Sequence, residues 1–488
     1  MSTGLGNEIV ASPACQQVGV EAVGQSDAGD RDIRAQRFGI ASDTVSMFLI
    51  LEHRLQNDLA FARPHAPDFV RRKELWVVDE SSFLLQRQKA QLDRMAIRAG
   101  AKLVYVGDAL QRQGVEAGKP FELAQNNEIT TAFMGEISRQ KTSSLKFAVD
   151  ILVGRDQLAP SQALTHVALA HNARAFAALD AAGMLREVRR GEAPAAMVAE
   201  LMALSPQERA RTIVITPYNR DRRDINDRVR VKLHEVGEPA TPDQRFEVLE
   251  SKAWTRAMTR QAQYYQAGDI VRLGRRYQAI GVEKGDYLRV AAVDAGRGIV
   301  HLATADEKTL AWEPRRRVQV EVYETQSRSL ASGDLIRLTR NQDQFKNGEV
   351  IKVLSINGSF AQISASGGPG TATQQLDLAA NKHWDHAYAT TVHGAQGVTL
   401  HRAILHVPIS EGEAASGLTN GAMARVFGDR SFYVGVTRAS HELTIVTEDK
   451  AAAHDLVARQ QGKRSAIEAQ SKIDSFGKAQ QFKTEAGR

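Results

Sequence analysis

The sequence contains one cysteine, Cys15, in 488 residues. A single thiol excludes an internal disulfide framework and any cysteine-based zinc cluster. Long apolar runs are also missing: no stretch of about 18 apolar residues occurs, so no membrane span is expected. The chain does not open on a basic n-region followed by an apolar h-region, and a cytoplasmic protein is therefore expected. Hydrophobic content of 43% and charged content of 25% are ordinary for a soluble globular chain. The length exceeds what one core organises, which predicts roughly two to four domains. The net charge of +6 is compatible with a nucleic-acid partner and does not demand one.

The most informative stretch is Leu75-Trp76-Val77-Val78-Asp79-Glu80-Ser81-Ser82. Its apolar run predicts a buried strand of a parallel sheet, and two adjacent carboxylates follow where the strand leaves the sheet. Carboxylates so placed can hold Mg²⁺ and a catalytic water. They serve equally as a solvated acidic turn. A helix is predicted over 86–99, with Leu92, Met95 and Ala96 on one face and Gly100 as its stop. Leu103-Val104-Tyr105-Val106 predicts a second buried strand, ending in Gly107-Asp108-Ala109-Leu110-Gln111. Strand, helix, strand is the α/β pattern, in which ligands gather at carboxyl ends of strands. Both Asp79-Glu80 and Gly107-Asp108 fall there.

Upstream, Ser42 or Asp43 could cap a helix carrying Val45, Phe48 and Leu49. Residues 160–204 are rich in Ala and Leu and read as helical throughout. Ser205-Pro206-Gln207-Glu208 fits a capping box with Pro at the first helical position. Thr212-Ile213-Val214-Ile215-Thr216 predicts a third buried strand. A run of Arg220, Arg222, Arg223, Arg228, Arg230 and Lys232 follows, interleaved with Asp221, Asp224 and Asp227. It suits either a solvated face or a nucleic-acid contact. Residues 266–380 change to short alternating segments between glycine turns. Gly268-Asp269-Ile270-Val271-Arg272-Leu273 recurs as Gly333-Asp334-Leu335-Ile336-Arg337-Leu338, each with a second matching strand, which predicts two small β-barrels in tandem. The α/β pattern resumes near 386, so the β segment is expected to be an insertion.

In this order the strings resemble the superfamily 1 DNA helicases of the RecD-like group, above all the helicase part of MobF-type conjugative relaxases of the TraI and TrwC kind. Asp79-Glu80-Ser81-Ser82 matches motif II, Gly107-Asp108-Ala109-Leu110-Gln111 motif III, and Arg139-Gln140 the arginine motif that follows. Thr390-Thr391-Val392-His393-Gly394-Ala395-Gln396-Gly397 matches motif V, and Tyr433-Val434-Gly435-Val436-Thr437-Arg438-Ala439 motif VI. The resemblance implies an α/β fold of two RecA-like parallel-sheet domains with an inserted 2B-like tandem β-barrel segment. Its expected parts are domain 1A over 1–155, domain 2A over 156–265 and 381–450, the insertion over 266–380, and a polar tail over 451–488. It implies ATP and Mg²⁺ as cofactors, with Asp79 on the metal and Glu80 on the attacking water. Asp108 and Gln111 would lie near the γ-phosphate, Gln396 and Gly397 in the ATP cleft. Arg139 and Arg438 would place positive charge on the γ-phosphate. Thr391 and His393 would face single-stranded DNA, with conjugative-transfer or relaxosome proteins as further partners. Left to themselves, Arg438 suits a buried ion pair, and His393 a core or capping histidine.

The chain departs from the family at two points. No G-x-x-x-x-G-K-[ST] segment occurs; the Gly-Lys pairs at 118, 462 and 477 are followed by Pro, Arg and Ala. That loop's amides cradle phosphates, its Lys neutralises them, and its Ser or Thr binds Mg²⁺. A cluster of metal-binding histidines with a tyrosine pair is also lacking, and Tyr264-Tyr265 is expected to pack. Two readings stand: an ATP-driven DNA translocase, active alone or as part of a larger protein, or a helicase-fold DNA-binding module without motor activity. An RNA helicase or an unrelated nucleotide enzyme is a weaker third.

Overall fold

The computed structural model describes residues 16–21, 42–45, 48–49, 74–111, 118–126, 129–134, 137–154, 167–238, 241–277, 281–304, 308–315, 319–341, 345, 347–365, 373–396, 398–409 and 427–458. In chain order the first elements are β1 (Gln16–Glu21), β2 (Ser42–Thr44), β3 (Glu74–Asp79), α1 (Gln86–Ala99) and β4 (Lys102–Tyr105). Then come α2 (Pro120–Asn126), α3 (Ser143–Leu152), α4 (Val167–Ala181), β5 (Leu185–Glu187), α5 (Ala193–Met202), α6 (Pro206–Arg209), β6 (Thr212–Thr216) and α7 (Asn219–Glu235). A run of strands follows: β7 (Gln244–Ser251), β8 (Ile270–Leu273), β9 (Tyr287–Asp294), β10 (Ile299–Ala303), β11 (Thr309–Trp312) and β12 (Val320–Leu330). It continues with β13 (Leu335–Leu338), β14 (Val350–Asn357), β15 (Phe360–Ala365), β16 (Gln374–Asp377) and β17 (Trp384–His386). The last elements are β18 (Ala389–Thr391), β19 (Leu400–His406), α8 (Asp429–Val436), β20 (Ala439–Thr447) and α9 (Lys450–Val457).

Two compact units result. One holds residues 1–232 and 388–488, the other 233–387. The first unit carries two parallel sheets. In one the order is β2-β1-β3-β4. On β3, Glu74, Trp76 and Val78 are buried while the alternate residues are half-buried. Phe48 meets Trp76 edge-on with ring centres 4.8 Å apart. The apolar stripe of α1 (Leu92, Met95, Ala96 and Ala99) closes the same core, and Gly100 ends the helix at φ 67. That conformation suits glycine because no Cβ opposes it. The predicted helix from Ser42 begins instead as strand β2, though Val45 and Phe48 are buried as expected.

The other parallel sheet has the order β18-β6-β19-β20-β5. Its strand β6 is buried at every position, as an interior parallel strand must be. Its core draws on α3, α4, α8 and α9. Two expectations change here. The stretch 160–204 is interrupted by β5, which pairs with β20 through Leu185 and Ile445. Helix α3, placed by sequence in the first lobe, packs through Leu145, Ala148, Val149 and Leu152 into the second. Ser205 caps α6 as predicted, exchanging hydrogen bonds with Glu208. The basic run lies on α7, where Arg228 pairs with Asp224 at 2.8 Å and Arg220 with Asp221 at 3.2 Å.

The second unit consists of antiparallel sheets of order β11-β10-β9-β8-β12-β7 and β16-β15-β14-β13-β17. The sequence repeat is a structural repeat down to its hydrogen bonds. Gly268 N donates to Val290 O at 2.8 Å and Gly333 N to Val353 O at 2.7 Å. Asp269 accepts Gln266 N at 3.0 Å, and Asp334 accepts Ala331 N at 2.7 Å. Gly268 and Gly333 adopt φ 95 and 103, a turn that any Cβ would strain. Tyr265 packs, as expected, against Trp254 and Trp312 and donates to Thr259 O at 2.6 Å. Arg272 pairs with Glu321 at 3.1 Å and lies over the Tyr287 ring. Among the described residues no helix is long and apolar enough to cross a membrane.

Candidate functional site

The site is built where β3 and β4 end side by side. Val106 N donates to Val78 O and Ser81 N to Val106 O, both at 2.8 Å, so the two exits are locked together. Gly107 permits this closeness: a Cβ there would stand 3.0 Å from both Ser81 N and Ser82 N. Asp79 ends β3, and its Oδ1 accepts Glu80 N at 2.8 Å. Glu80 has φ 50 and ψ 38, a left-handed conformation that costs a non-glycine residue about 1–3 kcal/mol. The strain turns the chain sharply into Ser81–Phe83 and sets the second carboxylate off the strand axis.

Asp108 follows on the neighbouring exit. Its Oδ1 accepts Leu110 N at 2.9 Å, and its Oδ2 accepts the Tyr433 hydroxyl at 2.6 Å. Gln111 Nε2 lies 3.4 Å from the same Oδ2. Tyr433 belongs to α8, on the second parallel sheet's side. Burial, then the Asp108 carboxylate, push its phenol well above the ordinary value, so it stays a proton donor.

Arg438 follows α8 and is 1% exposed. It donates to Val434 O at 3.0 Å, Val398 O at 3.2 Å and Thr437 Oγ1 at 3.0 Å, all neutral acceptors. Burial first, then the charge of Arg139, hold this guanidinium down at about 10; Tyr433, Glu80 and Asp108 pull the other way. Arg438 thus lies within electrostatic reach of Arg139, Glu80 and Asp108. Arg139 is exposed, but the next residues anchor it: Gln140 Nε2 donates to Ala439 O at 3.1 Å and Lys141 N to Ser440 O at 2.7 Å. Among the described residues no ion pair explains Arg438; its hydrogen bonds go to two carbonyls and a hydroxyl.

The motif V residues divide. Gln396 is 3% exposed, and among the described residues neither its amide nitrogen nor its oxygen has a hydrogen-bond partner. Gly397 lies outside the described residues. Thr391 ends β18 level with Thr216 on β6, and its Oγ1 accepts Gly394 N at 3.2 Å. His393 is exposed, not a core histidine. Thr391 and His393 share a strand-end turn.

Sequence reasoning missed Arg430 and Glu122, and it gave Tyr433 no role. Arg430 Nη1 donates to Ala109 O at 2.7 Å and Gln111 O at 2.9 Å, and its Nη2 meets Glu122 at 3.1 Å. Glu122 also holds Lys119 at 2.7 Å. The available signal was spacing: Arg430 and Tyr433 are i and i+3 on one helix and share a face.

The arrangement fits a phosphate-bearing ligand. It offers a buried cation with only neutral acceptors, an orphaned buried amide, and two carboxylates at a strand end. Among the described residues no group of three His, Cys, Asp or Glu could hold a metal, so Mg²⁺ would depend on Asp79 together with ligand and water oxygens.

Comparison with known proteins agrees with the motifs. Residues 9–190 match the AAA domain family. The multifunctional conjugation protein TraI of Escherichia coli K12 is 26% identical over 448 residues, covering 84% of this chain and 24% of that protein. The conjugal transfer protein TraA of Agrobacterium fabrum is 28% identical over 210 residues, covering 43% of this chain and 18% of that protein. Among solved structures, the Pif1 helicase of Candida albicans aligns over 94% of this chain and 88% of that one, with 14% identity and a TM-score of 0.37. The chain spans about a quarter of the length of the TraI proteins it matches. The resemblance in the motifs therefore extends over most of the chain, which is similar to one portion of the TraI conjugation proteins and matches the AAA domain family over residues 9–190.

Proposed function

We propose that the chain is the motor portion of a cytoplasmic conjugative-transfer protein, coupling ATP hydrolysis to movement along single-stranded DNA. The observation that carries this is the buried Arg438, hydrogen-bonded only to neutral acceptors and near the charges of Glu80, Asp108 and Arg139. A structural arginine would be paired; this one is kept charged where a phosphate could complete it. Mg²⁺·ATP supplies the phosphoryl group to be transferred and the metal that neutralises it. Asp79 would hold the metal. Glu80 orients the attacking water and takes its proton. Arg139 and Arg438 place positive charge where it develops on the transferred group. Gln396 contributes the amide that the fold leaves without a partner. Thr391 and His393 face the strand, and relaxosome proteins are the expected partners.

One observation favours a second reading. No phosphate-binding loop occurs within this sequence. A DNA-binding module of the same fold, without hydrolysis, would keep the strand-end residues and bind nucleotide weakly. DNA-stimulated ATP turnover by the purified chain separates the two. Turnover abolished by Glu80→Gln supports the motor. Single-strand binding without turnover supports the module.

A further inference from the structure

Helix α8 carries Arg438 just beyond its last turn, and near its first turn it grips the opposite lobe. Arg430 and Tyr433 face the same loop, the segment from Asp108 to Gln111 that leaves β4. Arg430 binds the carbonyls of Ala109 and Gln111, and Tyr433 binds the Asp108 carboxylate. The loop's own hydrogen bonds, from Leu110 N to Asp108 Oδ1 and from Gln111 N to Asp108 O at 3.2 Å, lie between those grips. Glu122 fixes the second nitrogen of the guanidinium, so its plane is set on both sides. A plain ion pair between lobes would need only Glu122. The two carbonyls belong to the loop that bears Asp108 and Gln111.

We infer that Arg430 is a positioning residue, and that with Tyr433 it forms a two-point strap by which the second lobe sets the Asp108–Gln111 loop. The inference rests on the motor reading for its functional consequence, but not for its geometry. A helix is stiff, so a displacement of α8 moves Arg438 and the strapped loop together. The strap makes the loop's shape depend on how the lobes stand. Lysine is a poor replacement, because its compact ammonium lacks the planar fork that reaches both carbonyls and Glu122 at once.

The test is hydrogen–deuterium exchange over residues 107–111 in the full chain, compared with exchange in β3 and β6. Removing hydrogen bonds from a charged donor should raise loop exchange about tenfold or more. Arg430→Gln and Arg430→Lys are both expected to do so while β3 and β6 keep their protection. Glu122→Gln, which leaves the carbonyl contacts in place, should change loop exchange by less than about threefold. In DNA-stimulated hydrolysis Arg430→Gln should lower kcat about tenfold or more with KM for ATP unchanged. Unchanged loop exchange in Arg430→Gln overturns the inference. So does an equal rise in β3 and β6, which would make Arg430 a general fold element. If the wild-type chain turns over no ATP, the motor reading falls and the exchange result alone decides the strap.

Discussion

Replacing Arg438 with methionine should strengthen the fold while removing the chemistry. The site holds the guanidinium at about 10, below its ordinary value. That interval of about 2.5, at 1.36 kcal/mol per unit of pH, corresponds to roughly 3 kcal/mol against the charged form. Without the guanidinium, Val434 O keeps the Thr437 hydroxyl as a donor at 3.1 Å, and that hydroxyl keeps its acceptor. Methionine keeps most of the length and apolar bulk of the side chain. It leaves the Val398 carbonyl short of one donor, a loss of about 1 kcal/mol. The net expectation is a gain of roughly 1–2 kcal/mol, the signature of a group retained for function and not for stability. Urea unfolding, followed by loss of exchange protection in β6 and β19, should shift to a higher midpoint with an unchanged slope. DNA-stimulated ATP hydrolysis should fall by about 10³-fold. A midpoint lowered by the equivalent of about 2 kcal/mol or more would refute the reasoning, because Arg438 would then be a structural anchor.

Further expectations follow from other sites. His383 Nε2 is hydrogen-bonded to the Tyr287 hydroxyl at 2.7 Å, and the ring is pushed down to about 4, chiefly by burial and then by Arg340. An unfolded histidine titrates near 6.5, so between about 4 and 6.5 the unfolded chain binds the extra proton. This contribution is complete above about pH 6.5 and is lost as pH falls toward about 4. Its upper limit is roughly 3 kcal/mol, which solvent around the partly exposed Tyr287 should screen to roughly 2. The unfolding midpoint of the 233–387 unit should follow this slope, and His383→Gln should flatten it. Gly107→Ala should cost about 1–3 kcal/mol, since the new methyl meets the backbone of Ser81 and Ser82 at 3.0 Å. A thermal unfolding temperature unchanged from wild type would contradict that.

Much of the fold was readable because it is local. The helix over Gln86–Ala99 announces itself by apolar spacing and its glycine stop, β6 by an unbroken apolar run, and α6 by its capping box. The Gly-Asp repeat was legible because a positive φ and an aspartate-closed turn each demand a particular residue. Strand β5 was not, since three residues in an Ala- and Leu-rich context carry no period of their own. Nor was the allegiance of α3, which the core decides and the sequence does not. At the site, the strings located Asp79, Glu80, Asp108 and Arg438 but not their partners. That Asp108 is satisfied by Tyr433, and that Arg430 holds the adjoining carbonyls, depends on contacts between residues more than 300 positions apart.

The most direct measurement is a crystal structure of the chain with a non-hydrolysable ATP analogue, Mg²⁺ and a short DNA single strand. The account predicts the terminal phosphate within hydrogen-bond distance of Arg438, with Glu80 facing it and the metal on Asp79. An analogue bound elsewhere, with Arg438 still satisfied only by Val434, Val398 and Thr437, would contradict it.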